Sequence, residues 1–91
     1  MAEEHVQVNV LYFAAASTAT GLDHEQVPVP ANCRLSSLGD LLVARHPKAA
    51  NLREILAGSK WSVDAEMVDS PDAVVLQGGE EIAVICPVSG G

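Results

Sequence analysis

The C-terminal stretch EIAVICPVSGG, residues 81–91, contains the residues of this chain whose types and spacing could do chemistry. Gly90 and Gly91 have no Cβ, so they can adopt any φ and pass through a channel too narrow for other residues. Pro87 fixes φ where the stretch would leave a strand, which lowers the entropy cost of ordering the last four residues. We therefore predict a flexible tail over residues 87–91 that enters the active site of another protein.

The reactive group of such a tail is the α-carboxylate of Gly91, which at neutral pH is an anion and a poor electrophile. Activation with ATP would convert it to an acyl adenylate, from which a sulfur nucleophile can displace AMP and leave a thiocarboxylate. An amine nucleophile would give protein conjugation instead. In either reaction Val88 could anchor the tail in a partner groove, and Ser89 could hydrogen-bond there.

The rest of the chain shows no self-contained active site. His5, His24 and His46 lie in three different predicted elements, without metal-ligand spacing to one another or to a cysteine, so we expect no metal site. No serine stands in a GxSxG context. QGGE at 77–80 precedes no helix, so it is predicted to be a hairpin turn and not a phosphate-binding loop.

Two predicted strands are apolar on both faces. One is the strand at 81–86, which leads directly into the tail. The other is the alternating stretch at 6–13, which becomes apolar on both faces at Leu11 and Phe13, so this end should be covered on two sides. We expect the two strands to lie side by side in the centre of a sheet.

The remaining strands are shorter or more polar. HEQVPVP at 24–30 is predicted to be a strand that its two prolines restrict to an edge position or an early end. Trp61 heads an alternating stretch that predicts one half-buried strand over 61–68, with Trp61 in the core or at its rim. A turn at 69–72 and a short strand at 73–76 come next in the chain.

CRLSSLGDLLVARHP at 33–47 is predicted to be the main helix, because its leucines fall on one stripe at helical spacing. Ser36 or Ser37 could cap its start, and Pro47 would end it after His46.

The order of elements predicts the fold class. AANLREILAG at 49–58 is a second, short helix, and AAASTATG at 14–21 is a loop or a short helical turn. The chain is therefore expected to be α+β, a β-grasp (ubiquitin-like) fold whose mixed sheet is covered on one face by a helix. Apolar residues on the other face would then form a partner surface.

Composition limits the classes of partner. Ninety-one residues fit one domain, and twelve acidic against five basic residues give a formal net charge of −7. This charge disfavours nucleic acid and anionic membranes, and it favours basic protein partners or simply a soluble surface. The acidic N-terminus does not resemble a signal peptide, so we expect a cytoplasmic location and free thiols at Cys33 and Cys86.

With these residues in place, the chain resembles the small, sulfur-carrying subunit of molybdopterin synthase. VLYFA at 10–14 resembles the first strand of that family, RHP at 45–47 the end of its helix, and EIAVICPVSGG its last strand and tail. The resemblance implies a single sulfur carrier domain over residues 1–91 with a β-grasp fold. It also implies a subunit that donates sulfur as a co-substrate and is not a catalyst by itself.

The resemblance further implies a heterotetramer of two small and two large catalytic subunits. A thiocarboxylate at Gly91 would supply sulfur to cyclic pyranopterin monophosphate for the dithiolene of molybdopterin, in molybdenum cofactor biosynthesis. A separate adenylating, sulfur-transferring enzyme would use ATP to recharge the tail, and the carrier itself would bind no cofactor. By its position in the family pattern, Gly91 is the modified residue and Gly90 is its required neighbour. Pro87, Val88 and Ser89 form the rest of the inserted tail. Phe13 and Ile85 are expected to lie near the partner.

The chain departs from the family pattern at two places. Cys86 stands where the family usually has the first of two prolines, and Ser17-Thr18 stands where many bacterial members have an Arg-Glu pair. Cys86 could shuttle sulfur, but a cysteine that ends an apolar strand is more often a small hydrophobe. The alternative functions are a ubiquitin-like modifier, a sulfur carrier for tRNA thiolation or thiamine synthesis, and an interaction domain with an inert tail.

Overall fold

The computed structural model of the protein describes residues 4–49 and 51–86. The predicted tail at 87–91 lies outside these residues. The described chain forms, in order, β1 (His5–Tyr12), α1 (Ala14–Thr20), β2 (His24–Pro30), β3 (Cys33–Arg34), α2 (Leu35–Arg45), α3 (Leu52–Ala57), β4 (Lys60–Val63), β5 (Glu66–Val68), a 3-10 turn (Pro71–Ala73), β6 (Val75–Leu76) and β7 (Glu81–Ile85).

Five strands form one mixed sheet in the order β2-β1-β7-β4-β5, and β3 pairs with β6 in a separate small sheet. β1 and β7 are parallel neighbours at the centre, whereas the other pairs of the large sheet are antiparallel. The prediction that the first and last strands are central neighbours is confirmed, and the proline-containing β2 is an edge strand. With its helices over one face of the sheet, the chain has the expected α+β, β-grasp fold.

Burial alternates along β1, where Val8, Val10 and Tyr12 are buried and the residues between them are more exposed. Because alternate side chains of a strand point to opposite faces, these three residues define the face that the helices cover. Full burial of one such apolar side chain is worth about 1.5–3 kcal/mol. The other buried apolar side chains of this core are Ala16, Val27, Val29, Leu35, Leu38, Leu42, Leu52, Leu56, Trp61, Leu76, Ile82 and Val84.

The main helix α2 has the predicted leucine stripe, but the predicted serine cap is wrong. The helix begins at Leu35, its N-cap residue is Arg34, and no side chain caps it. Its start is set by the pairing of β3 with β6, since the Leu35 N–H donates to the Val74 carbonyl oxygen at 2.9 Å. Ser36 and Ser37 therefore lie inside the first turn.

The single strand predicted at 61–68 is also wrong, because the chain reverses at Asp64 and Ala65 and forms the hairpin β4-β5. Both turn residues have left-handed φ, 50° and 73°, as a tight two-residue hairpin turn requires. The reversal places Met67 on the face opposite to Trp61. Simple alternation could not reveal this, because each arm of a hairpin keeps the period of two.

The loop at 77–80 is not the predicted hairpin turn, because the strands on its two sides belong to different sheets. It carries the chain from the small sheet into the centre of the large one. The Glu80 carboxylate accepts hydrogen bonds from the Gln77 and Gly78 N–H groups, at 2.7 Å each. Gly78 has a φ of 110°, and a Cβ at this position would lie 3.0 Å from Val6 Cβ, so both the backbone conformation and the close contact favour glycine here.

The short elements differ little from expectation. α1 ends at Thr20 and is capped by Gly21, which has a φ of 76° and donates its N–H to the Ser17 carbonyl oxygen at 2.8 Å. The strand predicted at 73–76 is shorter than expected, since Ala73 belongs to the 3-10 turn. Among the described helices, none is long and apolar enough to cross a membrane.

Candidate functional site

One face of the large sheet is not covered by any helix of residues 4–49 and 51–86. Across this face the strand register places Leu11 beside Ala83, Ala83 beside Ser62, and Ser62 beside Met67. Ala83 and Ser62 are small and nearly buried, whereas Met67 is 55% exposed. We define the open face as these four residues together with the two apolar residues at the ends of the central strands, namely Leu11, Phe13, Ser62, Met67, Ala83 and Ile85.

Phe13 and Ile85 are exposed apolar side chains at one end of the open face. Phe13 is 50% exposed and Ile85 is 37% exposed. The expectation that the end of β1 is covered on both sides is therefore wrong within the described chain, since the helices cover only the side of Tyr12. Large apolar side chains that are grouped on one surface are typical of a protein interaction site. The structure thus brings Phe13 and Ile85, the two residues predicted to lie near a partner, to the same end of the sheet.

The predicted tail begins directly beyond this end of the open face. β7 ends at Ile85, and Cys86 is the only residue between it and the tail. Cys86 is half-buried, and its Sγ donates to the Phe13 carbonyl oxygen at 3.3 Å. The last described residue before the tail, Cys86, therefore lies next to Phe13. The predicted tail residues themselves, Pro87, Val88, Ser89, Gly90 and Gly91, lie outside the described residues.

Four polar side chains meet on the helix side of the same end of the sheet. Glu25 of β2 accepts hydrogen bonds from the Tyr12 hydroxyl and, at 2.9 Å, from Arg45 Nε. His46 Nε2 lies 2.6 Å from Glu25 Oε2, and the His46 and Tyr12 rings meet edge to face with centroids 6.1 Å apart. This Glu25 cluster, made of Tyr12, Glu25, Arg45 and His46, joins the end of α2 to β1 and β2.

The environment of the Glu25 cluster shifts two pKa values in opposite directions. Burial opposes ionisation of Glu25, but hydrogen bonds from Tyr12, His46 and Arg45 outweigh it, so the pKa of this carboxyl lies below its ordinary value. Burial, and then the hydrogen bond to Glu25 and its charge, raise the pKa of Tyr12. An ionised Glu25 and a protonated Tyr12 therefore hold the end of β1, from which Phe13 projects, against the end of α2.

The sequence alone does not reveal the Glu25 cluster, because Glu25 is far from its partners in the chain. Glu25 is separated from Tyr12 by 13 residues and from His46 by 21 residues. Motif spacing cannot show such contacts, and the RHP signal indicates only where the helix ends.

Both cysteines are free thiols, as expected. Burial raises the pKa of the Cys33 thiol, which lowers its reactivity at neutral pH. Cys86 packs at the edge of the core, as a small hydrophobe would. Within residues 4–49 and 51–86, no group of three or more His, Cys, Asp or Glu side chains is arranged to hold a metal ion.

Comparison with known proteins identifies the family. The ThiS family pattern matches residues 10–91 of this chain. The molybdopterin synthase sulfur carrier subunit of Homo sapiens is 41% identical over 86 residues, which cover 93% of this chain and 94% of that protein.

Solved structures share the fold. A protein from Pyrococcus furiosus described as molybdopterin converting factor, subunit 1, is 28% identical and has a TM-score of 0.77, covering 91% of this chain and 99% of that one. A chain in the complex of subunits 1 and 2 of the molybdopterin-converting factor from Helicobacter pylori is 22% identical, with a TM-score of 0.59 and coverage of 94% and 100%. The chain described here belongs to the ThiS family and, within it, to the sulfur carrier subunits of molybdopterin synthase.

Proposed function

We propose that this protein is the sulfur carrier subunit of a molybdopterin synthase and that Gly91 is its reactive residue. The observation that carries the proposal is the position from which the tail starts. The central strand β7 ends beside the exposed Phe13, directly before PVSGG at 87–91. A tail that starts here can enter a partner while the open face contacts the surface of the same partner.

The chemistry takes place at the end of the chain. A separate enzyme uses ATP to convert the Gly91 carboxylate to an acyl adenylate, so the carrier itself needs no bound cofactor. A sulfur nucleophile displaces AMP and leaves a thiocarboxylate. The sulfur of this group bonds to carbon of cyclic pyranopterin monophosphate in the large subunit, for the dithiolene of molybdopterin. Water then cleaves the bond between this sulfur and the Gly91 carbonyl carbon, which regenerates the carboxylate for recharging. The protein is thus a co-substrate of the synthase.

The length and composition of the tail suit delivery into an enclosed site. Five extended residues span at most about 17 Å, which is enough to carry Gly91 well away from the domain. Gly90 and Gly91 pass through a narrow channel because they have no side chains. Pro87 lowers the ordering cost of insertion, which is otherwise about 1–2 kcal/mol for each residue of backbone.

The open face is the surface that we assign to the large catalytic subunit, in a heterotetramer of two small and two large subunits. Its exposed apolar residues Phe13 and Ile85 support this assignment, because buried aromatic and aliphatic anchors commonly dominate interface energetics. The structural likeness to a chain in a complex of subunits 1 and 2 is in line with a partner of this kind. The two free thiols favour the cytosol as the location.

Extending the chain by one residue beyond Gly91 tests the mechanism without changing the described domain. We expect wild-type protein to support product formation with the large subunit, the activating enzyme and the pyranopterin precursor. The extended protein should give no product, because its terminal glycine carboxylate is blocked. A protein extended by one residue at its N-terminus is the control, and Trp61 fluorescence reports whether each variant is folded. Full activity of the C-terminally extended protein would refute the proposal, and lysine-linked adducts in place of product would favour a protein modifier.

A further inference from the structure

The open face and the start of the tail are joined by a small group of contacts, which we call the exit junction and define as Phe13, Ser59 and Cys86. Cys86 Sγ lies 3.3 Å from the Phe13 carbonyl oxygen and 3.7 Å from Ser59 Oγ. Phe13 follows β1, Ser59 follows α3, and Cys86 follows β7. Three separate parts of the chain therefore meet at one sulfur atom.

The number of protons available decides which of these contacts is a hydrogen bond. The Ser59 hydroxyl has one proton, which it donates to the Ile55 carbonyl oxygen at 2.6 Å. The Cys86 thiol proton is then directed at the Phe13 carbonyl, which also accepts from the Ala16 N–H at 3.1 Å and has two lone pairs. Cys86 is thus a donor whose proton is already engaged.

The exit junction lies where the pairing of the central strands stops. The last pair of β1 with β7 is Tyr12 with Val84, and the outermost pair of β4 with β7 is Lys60 with Ile85. Cys86 lies beyond both pairs. Its side-chain contacts therefore hold this residue against the domain at a point where the pairing of β7 with β1 and β4 has ended. A proline at this position would supply no side-chain donor.

We propose that the exit junction fixes the base of the tail relative to the open face, and that Cys86 is a positioning residue of this carrier. This inference rests on the proposed function, since positioning matters only if the tail is inserted into a partner. The hydrogen bond to the Phe13 carbonyl holds Cys86 beside the part of the open face that contacts the partner. Insertion of the tail and docking of the face are thereby coupled, because Cys86, the residue to which the tail is attached, is held at one place beside the open face.

The junction itself is tested in the free protein by the protection factor of the Ile85 amide against solvent exchange, because Ile85 lies in the outermost pair of β7 with β4 and should fray more readily when the junction is lost. Cys86→Ala removes the donor, and we expect the protection factor to fall about two- to threefold, the low end of the range for one hydrogen bond, because a thiol is a weak donor. Cys86→Ser keeps a donor and should retain wild-type protection. Cys33→Ala is the matched control, since Cys33 Sγ donates to the carbonyl oxygen of its own neighbour, Arg34, in β3 and makes no other hydrogen bond to a described residue. Unchanged protection in Cys86→Ala, or equal loss in Cys86→Ser, would overturn the proposal.

The positioning role is tested by steady-state sulfur transfer to the pyranopterin precursor, with the thiocarboxylated carrier as the varied substrate of the large subunit. We expect Cys86→Ala to raise KM about two- to threefold and to leave kcat unchanged, because the thiol is a weak donor and the bound tail presents the same Gly91. Cys86→Ser and Cys33→Ala should give wild-type values. A loss of protection without any change in KM would refute the positioning role. Absence of product even with wild-type carrier would contradict the proposed function instead, and the exchange measurement would still decide whether the junction exists.

Discussion

At the scale of single residues, Glu25 shows how one carboxylate can organise the end of a sheet. It accepts from three side chains that come from β1 and from the end of α2. Its side chain is only 12% exposed, so these donors replace water and leave no buried charge unpaired. An interaction between charged, hydrogen-bonded groups at such a site is worth more than an ion pair at the surface.

Replacing Glu25 with Gln tests this interaction. We expect the free energy of unfolding at pH 7 to fall by roughly 1–3 kcal/mol, because a neutral amide cannot accept equally from three donors. The pKa of Glu25 is lowered from 4.5 in the folded chain, so its contribution is complete above about pH 4.5 and is lost as the pH falls through the lower, folded-state pKa. Urea unfolding followed by Trp61 fluorescence should therefore show a difference between wild type and Glu25→Gln that shrinks in acid.

The control for this prediction is Asp40→Asn. Asp40 forms an ion pair with Arg53 at 3.1 Å, but both side chains are largely exposed, so the change should cost less than about 1 kcal/mol. A difference for Glu25→Gln that stays constant from pH 7 to pH 3 would contradict the role given to the charge.

Tyr12 offers a second test in the opposite pH direction. It is the only tyrosine of the chain, so tyrosinate absorbance reports on this residue alone. Its pKa is raised above 10.0, so its contribution to stability is complete below about pH 10 and is lost as the pH rises further. We expect no ionisation near pH 10 while circular dichroism shows a folded chain, and ionisation only together with unfolding. A titration with a midpoint near pH 10 in the folded protein would rule out the buried hydrogen bond to Glu25.

At the scale of elements, the differences between prediction and structure occur where the chain changes direction. The strands β1 and β2 and the helices α2 and α3 follow from periodicity, because each buries one face over several residues, whereas β7 follows from a short apolar run. The turn at Asp64 and Ala65 could not be predicted, since neither residue is a glycine and yet both have positive φ. The short strands β3 and β6 contain two residues each and exist only because they pair across a long sequence separation.

The loop between β6 and β7 provides a test at this scale. Gly78→Ala should lower the free energy of unfolding by about 1–3 kcal/mol, because alanine at this φ is strained and its Cβ would press against Val6. Gly79→Ala is the matched control in the same loop, with a φ of 85° but no atom within 4 Å of the added Cβ. Gly79→Ala should therefore report the backbone strain alone and lower the free energy of unfolding by less. Equal decreases for the two variants in urea unfolding would show that the contact with Val6 contributes nothing to the cost of Gly78→Ala.

At the scale of the whole molecule, the two faces of the large sheet have different roles. One face is buried under the helices and holds the fold together, while the open face keeps Phe13, Ile85 and Met67 exposed. The sequence predicts this division, because a single long helix cannot cover both faces of a sheet. It also predicts the place of the tail, because the apolar strand β7 and PVSGG are adjacent in the chain. Contacts between distant residues, such as those of the Glu25 cluster and the exit junction, depend on the fold and could not be derived from spacing.

Phe13→Ala tests whether the open face is the surface that binds the large subunit. We expect affinity for the large subunit to fall about tenfold or more, as for an aromatic anchor at an interface. The free energy of unfolding should change little, because half of the side chain is already exposed to water. Val75→Ala is the control, since Val75 is also exposed but belongs to β6 in the small sheet. Equal effects of the two changes, measured by calorimetric titration, would exclude the open face as the docking surface.

The thiocarboxylate proposed at Gly91 is tested most directly by mass spectrometry of the C-terminus of protein isolated from cells that make molybdenum cofactor. We predict that a fraction of the chains carries the mass increase of one oxygen-to-sulfur exchange, and that fragmentation assigns it to Gly91. The unmodified carboxylate alone, in cells whose molybdopterin synthesis depends on this protein, would contradict the proposed function.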